Sequence, residues 1–185
     1  MSPEITPATP ADLDRVVATL VAAFRADPVI RYLFPDDATY PGLSAAFFGH
    51  LFDKRLRRNA VWTIEGGASV AVWEPPGPDE THPPLPELEL PPDAEARLSA
   101  YDEAVHALLP DTPFWYLGLL GTHPDHAGRR WGHALMAHGL EVAARDGVPA
   151  VLETSRPDNV EMYRRAGWEV TASSTEPVPF WVLQH

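Results

Sequence analysis

No cysteine occurs among the 185 residues of this chain. Its absence excludes disulfides, cysteine-ligated zinc, iron–sulfur clusters and a thiol nucleophile, and it is typical of proteins in a reducing compartment. A chain of this length buries roughly 70% of the surface that its unfolded form exposes, so stability requires neither a metal nor a cross-link. We therefore expect one domain over residues 1–185, without a structural metal.

Long apolar runs and a secretory leader are also missing. No stretch approaches the ~20 apolar residues that a membrane span requires. The longest candidate, residues 16–24, is flanked by Arg15 and Arg25 and predicts an amphipathic helix. The first residues, Met-Ser-Pro-Glu-Ile-Thr-Pro, lack a basic segment followed by an apolar core. We expect a cytoplasmic protein with no membrane partner.

Basic residues are few, at 14 against 26 acidic ones, for a net charge of −12. Such a surface repels phosphate backbones and anionic lipid, and it attracts cationic small molecules such as amines. We therefore expect no nucleic-acid partner. A nucleic-acid-binding protein that uses Arg129 and Arg130 is the opposing hypothesis, and salt-dependent binding would identify it.

The last third of the chain alternates between strand and helix patterns. It predicts strands over 114–122, 150–154, 168–172 and 180–183 and helices over 128–146 and 159–166. Earlier, residues 60–64 and 69–73 predict a hairpin, and residues 75–92, which hold eight of the 21 prolines, predict an extended loop within the domain. This alternation indicates an α/β fold with a mixed central sheet of about six to seven strands, flanked by helices.

The turn between the strand at 114–122 and the next helix carries the clearest chemical signal. Gly128 and Gly132 allow an anion to approach the backbone closely, and the unpaired N–H groups of a helix start attract negative charge. Arg129 and Arg130 add positive charge at the same place. The residues alone fit a pyrophosphate site and an ordinary helix start equally well, and the spacing matches neither a P-loop nor the dinucleotide fingerprint.

Residues 119–135 resemble the acetyl-CoA-binding signature of the GCN5-related N-acetyltransferases (GNAT), in which a strand leads into a Gln/Arg-x-x-Gly-x-Gly/Ala loop. Residues 151–155, Asn159, Tyr163 and 167–170 are similar to the next strand and helix of that family. Residues 71–77 and 115–121 are similar to the puromycin N-acetyltransferase-like branch. The resemblance implies a sheet that splays at an acetyl-CoA slot, acetyl-CoA as cosubstrate, a small amine acceptor, and a fold that often forms homodimers.

The resemblance also implies which residues contact acetyl-CoA. The pantetheine arm would lie along the strand end, a backbone N–H near Leu120 would stabilise the oxyanion, and the turn would hold the pyrophosphate. The residues implied are Leu119, Leu120, Gly121, Thr122, Ala127, Gly128, Arg129, Arg130, Trp131, Gly132, His133, Asn159 and Tyr163. Ala127 replaces the usual Gln or Arg, and Arg130 replaces the usual Gly; we expect Arg130 to take a right-handed helical φ that preserves the turn.

Asn159 and Tyr163 lie four residues apart, on one face of the predicted helix. The family uses this Asn to hold the cofactor arm and this Tyr as the general acid for the leaving thiolate. The competing interpretation is that Asn159 caps the helix, which is compatible with binding, and that Tyr163 is a half-buried packing residue. An amine nucleophile also needs a base, for which Glu153 is the first candidate and Glu74 and Tyr116 are alternatives. An ordinary ion pair or a solvated carboxylate is the competing explanation for each Glu.

Four histidines lie close together in the sequence, namely His123, His126, His133 and His138. They lack the spacing of a metal site, so we expect exposed positions and no metal.

The favoured function is direct acetyl transfer to an amine. The alternatives are a non-catalytic acyl-CoA-binding protein, use of another acyl-CoA, and attack by a hydroxyl; the acceptor itself cannot be named because acceptor pockets come from variable loops.

Overall fold

A seven-stranded open sheet runs through the computed structural model, which describes residues 3–185. Its strands lie in the order β1-β2-β3-β4-β5-β7-β6 and are antiparallel, except that β4 and β5 are parallel. The strands are β1 Thr6–Pro7, β2 Val61–Ile64, β3 Ser69–Glu74, β4 Trp115–Thr122, β5 Ala150–Thr154, β6 Glu169–Ser174 and β7 Phe180–Gln184. The predicted mixed α/β sheet of six to seven strands is confirmed.

Helices cover both faces of this sheet. They are α1 Leu13–Ala23, α2 Pro28–Leu33, α3 Tyr40–Leu56, α4 Pro92–His106, α5 Trp131–Asp146 and α6 Pro157–Arg165. Successive side chains of β3 point to opposite faces of the sheet. Val70 and Val72 pack with α1 and α3 on one face, and Ala71 and Trp73 pack with α5 on the other. No helix within residues 3–185 combines the length and apolarity needed to cross a membrane.

The structure departs from the sequence-based prediction at two places. The edge strand β1 was not predicted, because its two residues are too short to show a periodicity. Helix α5 begins at Trp131 and not at residue 128, so the predicted start was wrong. Gly128 and Arg130 have φ values of 81° and 60°, and a left-handed residue cannot continue a right-handed helix.

Helix α5 lies very close to β3 at Gly139. An added Cβ at Gly139 would stand 2.3 Å from the indole ring of Trp73, which is fully buried. Only hydrogen fits between the helix backbone and this ring, so Gly139 sets the distance of α5 from the sheet. Because α5 begins at the glycine- and arginine-containing turn, this contact also helps to position that turn.

We expect Gly139→Ala to lower the free energy of unfolding by about 2 kcal/mol, since the extra methyl forces the helix and the Trp73 ring apart. Gly49→Ala is the matched control, because an added Cβ at this helical position meets only the Val17 side chain at 3.8 Å. It should stabilise the protein by up to about 1 kcal/mol through helix propensity. Urea unfolding of both variants tests this; equal stability of the two would contradict it.

Candidate active site

The parallel strands β4 and β5 pair only at their beginnings. Trp115 pairs with Ala150 and Tyr116 with Val151, and no further pair follows although β4 continues to Thr122. Beyond Tyr116, the edge of β4 that faces β5 therefore has no strand partner. Backbone groups along such an edge can hydrogen-bond an extended ligand as an added strand would.

A β-bulge at Gly118 changes which residues of β4 face this opening. Leu117 pairs with Trp73 and Leu119 with Val72, so Gly118 is an extra residue in the strand. As a result, Leu117 packs on the α5 side of the sheet and Leu119 on the α1 and α3 side. Simple alternation would have placed both on one face, so the bulge is a feature that the sequence pattern did not show.

A cleft of about 790 Å³ opens where the two strands part and extends towards α2, α3 and α4. Five of the predicted site residues line it: Leu119, Leu120, Glu153, Asn159 and Tyr163. Gly121 and Thr122 do not line the cleft. An added Cβ at Gly121 would meet the Leu20 side chain of α1 at 3.0 Å, and the Thr122 hydroxyl lies 2.8 Å from that of Ser69.

Glu153 lies in this cleft between two phenols. The Tyr116 hydroxyl donates a short hydrogen bond to one carboxylate oxygen, and the Tyr101 hydroxyl lies 3.4 Å from the other. Burial raises the pKa of Glu153 above that of an ordinary glutamate, and these hydrogen bonds only partly oppose it. No cation pairs with Glu153 among residues 3–185. The ordinary ion pair considered for Glu153 from the sequence is therefore wrong.

The two alternative bases are less suitable. Burial raises the pKa of Glu74, but the charges of Arg55 and Lys54 outweigh it and hold the pKa below the usual value, which makes Glu74 a weak base. Burial and the neighbouring charge of Glu153 raise the pKa of Tyr116, which therefore stays protonated and donates to Glu153. Tyr101, on α4, was missed as a site residue because its contact with Glu153 spans 52 residues of sequence.

Tyr163 lies on α6 with its ring packed edge-on against Trp168, at 5.9 Å between ring centroids. Its hydroxyl has no hydrogen-bond partner within residues 3–185, although the residue is only 7% exposed and lines the cleft. Burial, followed by the charge of Glu153, raises the pKa of Tyr163. Tyr163 therefore carries a proton at neutral pH and is able to donate it to a group in the cleft.

Asn159 lies one turn before Tyr163 and lines the same cleft, as the spacing of four predicted. Its side-chain Nδ2 is 3.4 Å from the Thr154 hydroxyl at the end of β5. The helix begins at Pro157 with Arg156 in the capping position, so Asn159 is not a helix cap. The side chain thus has one long hydrogen bond to the protein and lines the cleft beside Tyr163, where it can also contact a ligand.

The predicted anion-binding turn follows the end of β4. No backbone carbonyl of residues 3–185 accepts a hydrogen bond from the N–H groups of residues 128–133, and nothing lies within 4 Å of an added Cβ at Gly128. Gly132 connects the turn to the cleft, because its Cβ position is 3.9 Å from the Leu120 side chain. A groove that includes Arg130, His133 and Arg165 continues from the turn along α6.

Aromatic stacking shapes the turn more than the sequence indicated. The His126 ring stacks on Trp131 at 5.1 Å, and the Arg129 guanidinium lies 5.0 Å from the centre of the Trp131 ring. His138 packs edge-on against Trp62 at 5.0 Å. The prediction that these histidines are exposed was therefore wrong, because His123, His126, His133 and His138 are all partly buried. Arg129 and Arg130 form no ion pair with any described residue, so both charges are available to an anion.

The expected helical φ of Arg130 was wrong. Its φ of 60° and ψ of 21° place it in the left-handed region, which favours the glycine that the acetyltransferase signature has at this position. We expect Arg130→Gly to raise the free energy of unfolding by about 1 kcal/mol. Glycine has no Cβ atom, so it adopts the positive φ of this position without steric strain. Thermal unfolding measures it.

Arg129→Gly is the matched control for that substitution. Arg129 is an adjacent, exposed arginine that lacks a positive φ and contacts Trp131, so the same change should lower stability. If both variants lose stability equally, the backbone at Arg130 is not strained.

Comparison with known proteins shows which family this chain resembles in sequence. The family model described as "Acetyltransferase (GNAT) domain" matches residues 97–171, which include Glu153, Asn159, Tyr163 and the whole turn. An uncharacterised N-acetyltransferase of Schizosaccharomyces pombe is 25% identical over 175 residues, covering 85% of this chain and 70% of the relative.

Solved structures agree over the full length. A structure of "histone acetyltransferase HPA2 and related acetyltransferase" from Corynebacterium glutamicum is 25% identical, with a TM-score of 0.69 over 100% of this chain and 96% of that chain. Arylalkylamine N-acetyltransferase 2 from Aedes aegypti shares the fold at 11% identity, with a TM-score of 0.70 over 100% and 99% of the two chains. Residues 97–171 therefore match the GCN5-related N-acetyltransferase (GNAT) family of acyltransferases in sequence, and the whole chain has the fold of such proteins.

Proposed function

We propose that this protein transfers the acetyl group of acetyl-CoA to the primary amine of a small molecule. The observation that carries the proposal is that a candidate proton acceptor, Glu153, and a candidate proton donor, Tyr163, line the same cleft. Burial raises the pKa of Glu153, which makes it a stronger base than an ordinary glutamate, and burial also raises the pKa of Tyr163, which keeps its proton. Aminolysis of a thioester requires one group that accepts the proton of the amine and one group that donates a proton to the leaving thiolate.

In the proposed mechanism the amine attacks the thioester carbon directly. Glu153 takes the proton that the amine loses, a backbone N–H of β4 near Leu120 stabilises the oxyanion, and Tyr163 gives its proton to the thiolate as the C–S bond breaks. A new C–N bond replaces the C–S bond, and proton exchange with solvent restores both side chains. The chain has no cysteine to form an acyl-enzyme, which agrees with a direct transfer.

The residues around the cleft fit the proposed cosubstrate. The unpaired edge of β4 offers backbone groups to the pantetheine amides, and Asn159 stands beside it. The free N–H groups of residues 128–133, with Arg129 and Arg130, offer a site for the pyrophosphate. Ala127 is exposed and contributes only its backbone.

Calorimetry with acetyl-CoA, dephospho-CoA and a longer acyl-CoA, combined with a thiol-release assay on a panel of amines, tests the proposal. The absence of cysteine removes any protein thiol background from that assay. One-site binding with amine-dependent thiol release is the expected result. Binding without release for any amine favours the non-catalytic acyl-CoA-binding alternative, and no binding to any CoA species by the folded protein overturns the transferase.

A further inference from the structure

A second group of charged side chains lines the cleft, apart from Glu153 and Tyr163. His50, Lys54 and Arg55 all project from α3 into its lining. Glu74, at the end of β3, forms ion pairs with Arg55 and Lys54. Its carboxylate oxygens lie 2.7 Å from Arg55 Nη2 and 3.6 Å from Lys54 Nζ. Lys54 and Arg55 thus share one ion-paired carboxylate at this end of the cleft.

The neighbouring ionisable groups are His50 and two further carboxylates. Burial, and then the charges of Lys54 and Arg55, lower the pKa of His50, and the charge of Asp53 opposes them. Asp102, on α4, also interacts with the two cations. Neither Asp53 nor Asp102 forms an ion pair with Lys54 or Arg55, so Glu74 is their ion-paired carboxylate among the described residues.

Arg55 also has an unused hydrogen-bond donor. Its side chain is only 10% exposed, and its Nη2 group is engaged by Glu74. Its Nη1 group is buried and has no hydrogen-bond partner within residues 3–185. Leaving a buried charged donor unpaired is unfavourable, and a guanidinium is well shaped to bind a carboxylate. An oxygen supplied by a ligand would satisfy this group.

This basic cluster stands near the reacting end of the cleft but does not coincide with it. Glu74 lies directly opposite Tyr116 on the adjacent strand, and Tyr116 donates to Glu153. Opposite residues in a sheet lie about 5 Å apart, so the separation between the basic cluster and Glu153 is on the order of one long side chain. Phe47, Leu51 and Leu98 give the same cleft an apolar wall.

We propose that His50, Lys54 and Arg55 form a subsite for a carboxylate of the acceptor. The acceptor would then be an amine that carries a carboxylate several bonds away from the reacting nitrogen, as in an ω-amino acid. The inference of where the amine lies depends on the proposed function. The inference of a carboxylate subsite depends only on the contacts between α3 and Glu74.

Binding of matched ligand pairs tests the subsite independently of turnover. Calorimetry on the protein saturated with CoA, which cannot react, would compare γ-aminobutyrate with n-butylamine and ε-aminocaproate with n-hexylamine. We expect the better-fitting amino acid to bind about tenfold more tightly than its matched amine, since one charge-assisted hydrogen bond supplies that difference. Acetylation of the same four compounds is measured in parallel.

Lys54→Gln and Arg55→Lys should each reduce the preference for the amino acid at least about threefold. Lys54 is half exposed, so its substitution is expected to leave the fold intact. The control for Lys54→Gln is Arg25→Gln, which also removes one positive charge, at an exposed residue outside the cleft lining, and it should leave the preference unchanged.

The outcomes separate the two proposals. Preferential binding of the amino acids without acetylation of any compound would support the subsite and overturn the proposed function. Acetylation without a preference for the carboxylate, or a preference that survives both α3 substitutions, would overturn the subsite and leave the function standing. Neither binding nor acetylation of any of the four would overturn both.

Discussion

Tyr163→Phe is expected to lower kcat about a hundredfold while the Kd for acetyl-CoA changes less than about threefold. The hydroxyl is the only polar atom that the substitution removes, and within residues 3–185 it has no hydrogen-bond partner whose loss would disturb the fold. Without its proton the thiolate must leave unassisted, and loss of a general acid typically costs ~10²–10⁴ in rate. Initial rates at saturating substrates and calorimetry with acetyl-CoA measure the two quantities.

A matched control separates this effect from loss of any tyrosine hydroxyl. Tyr32→Phe removes the same group from a partly buried tyrosine that does not line the cleft, and it should change kcat less than about twofold. Unchanged turnover in Tyr163→Phe would remove Tyr163 from the mechanism. An equal loss of acetyl-CoA affinity would instead give it a binding role.

Glu153→Gln is expected to lower kcat/KM about a hundredfold at neutral pH. The amide keeps the size of the side chain but cannot accept a proton, so the amine must lose its proton without a base. Glu141→Gln is the control, because Glu141 is an exposed residue of α5 outside the cleft and its substitution should have no effect on turnover.

The pH profile provides the sharper test of Glu153. Its pKa is raised, so it takes up a proton at a higher pH than an ordinary glutamate, whose value is 4.5, and activity that needs its ionised form is lost as pH falls through the raised pKa. A plot of log kcat/KM against pH should have a slope near one while only the amine titrates, and a steeper slope once Glu153 is protonated as well. E153Q should keep the single slope; a steepening that persists in this variant would assign the base to another group.

The fold could be predicted from the sequence because strands and helices leave local periodic patterns of apolar residues. The alternation of apolar strands with helical periodicity in the last third specifies a mixed sheet, and both β4 and β5 lie within one or two residues of their predicted bounds. The spacing of Asn159 and Tyr163 is likewise set by helix geometry alone, and the structure places both in one cleft. Such features follow from covalent geometry and short-range burial, whatever the rest of the chain does.

The environment of the candidate base was decided by tertiary structure. Tyr101 and Tyr116 reach Glu153 across 52 and 37 residues of sequence, and Tyr101 looked like any other apolar position on its helix. Likewise, only the packing of α3 against the end of β3 brings Arg55 to Glu74 and leaves one of its donors without a partner. Contacts between distant segments leave no periodicity or motif in the sequence.

By itself, the sequence of this protein determined the order of strands and helices in the last third of the chain, the glycine- and arginine-containing turn and the placement of Asn159 and Tyr163 on one helix face. Only the tertiary structure decided the left-handed backbone of Arg130, the bulge at Gly118 and the raised pKa of Glu153. The physical reason is that residue types and their spacing set local conformation, whereas strain, strand register and burial depend on which neighbours the folded chain brings into contact.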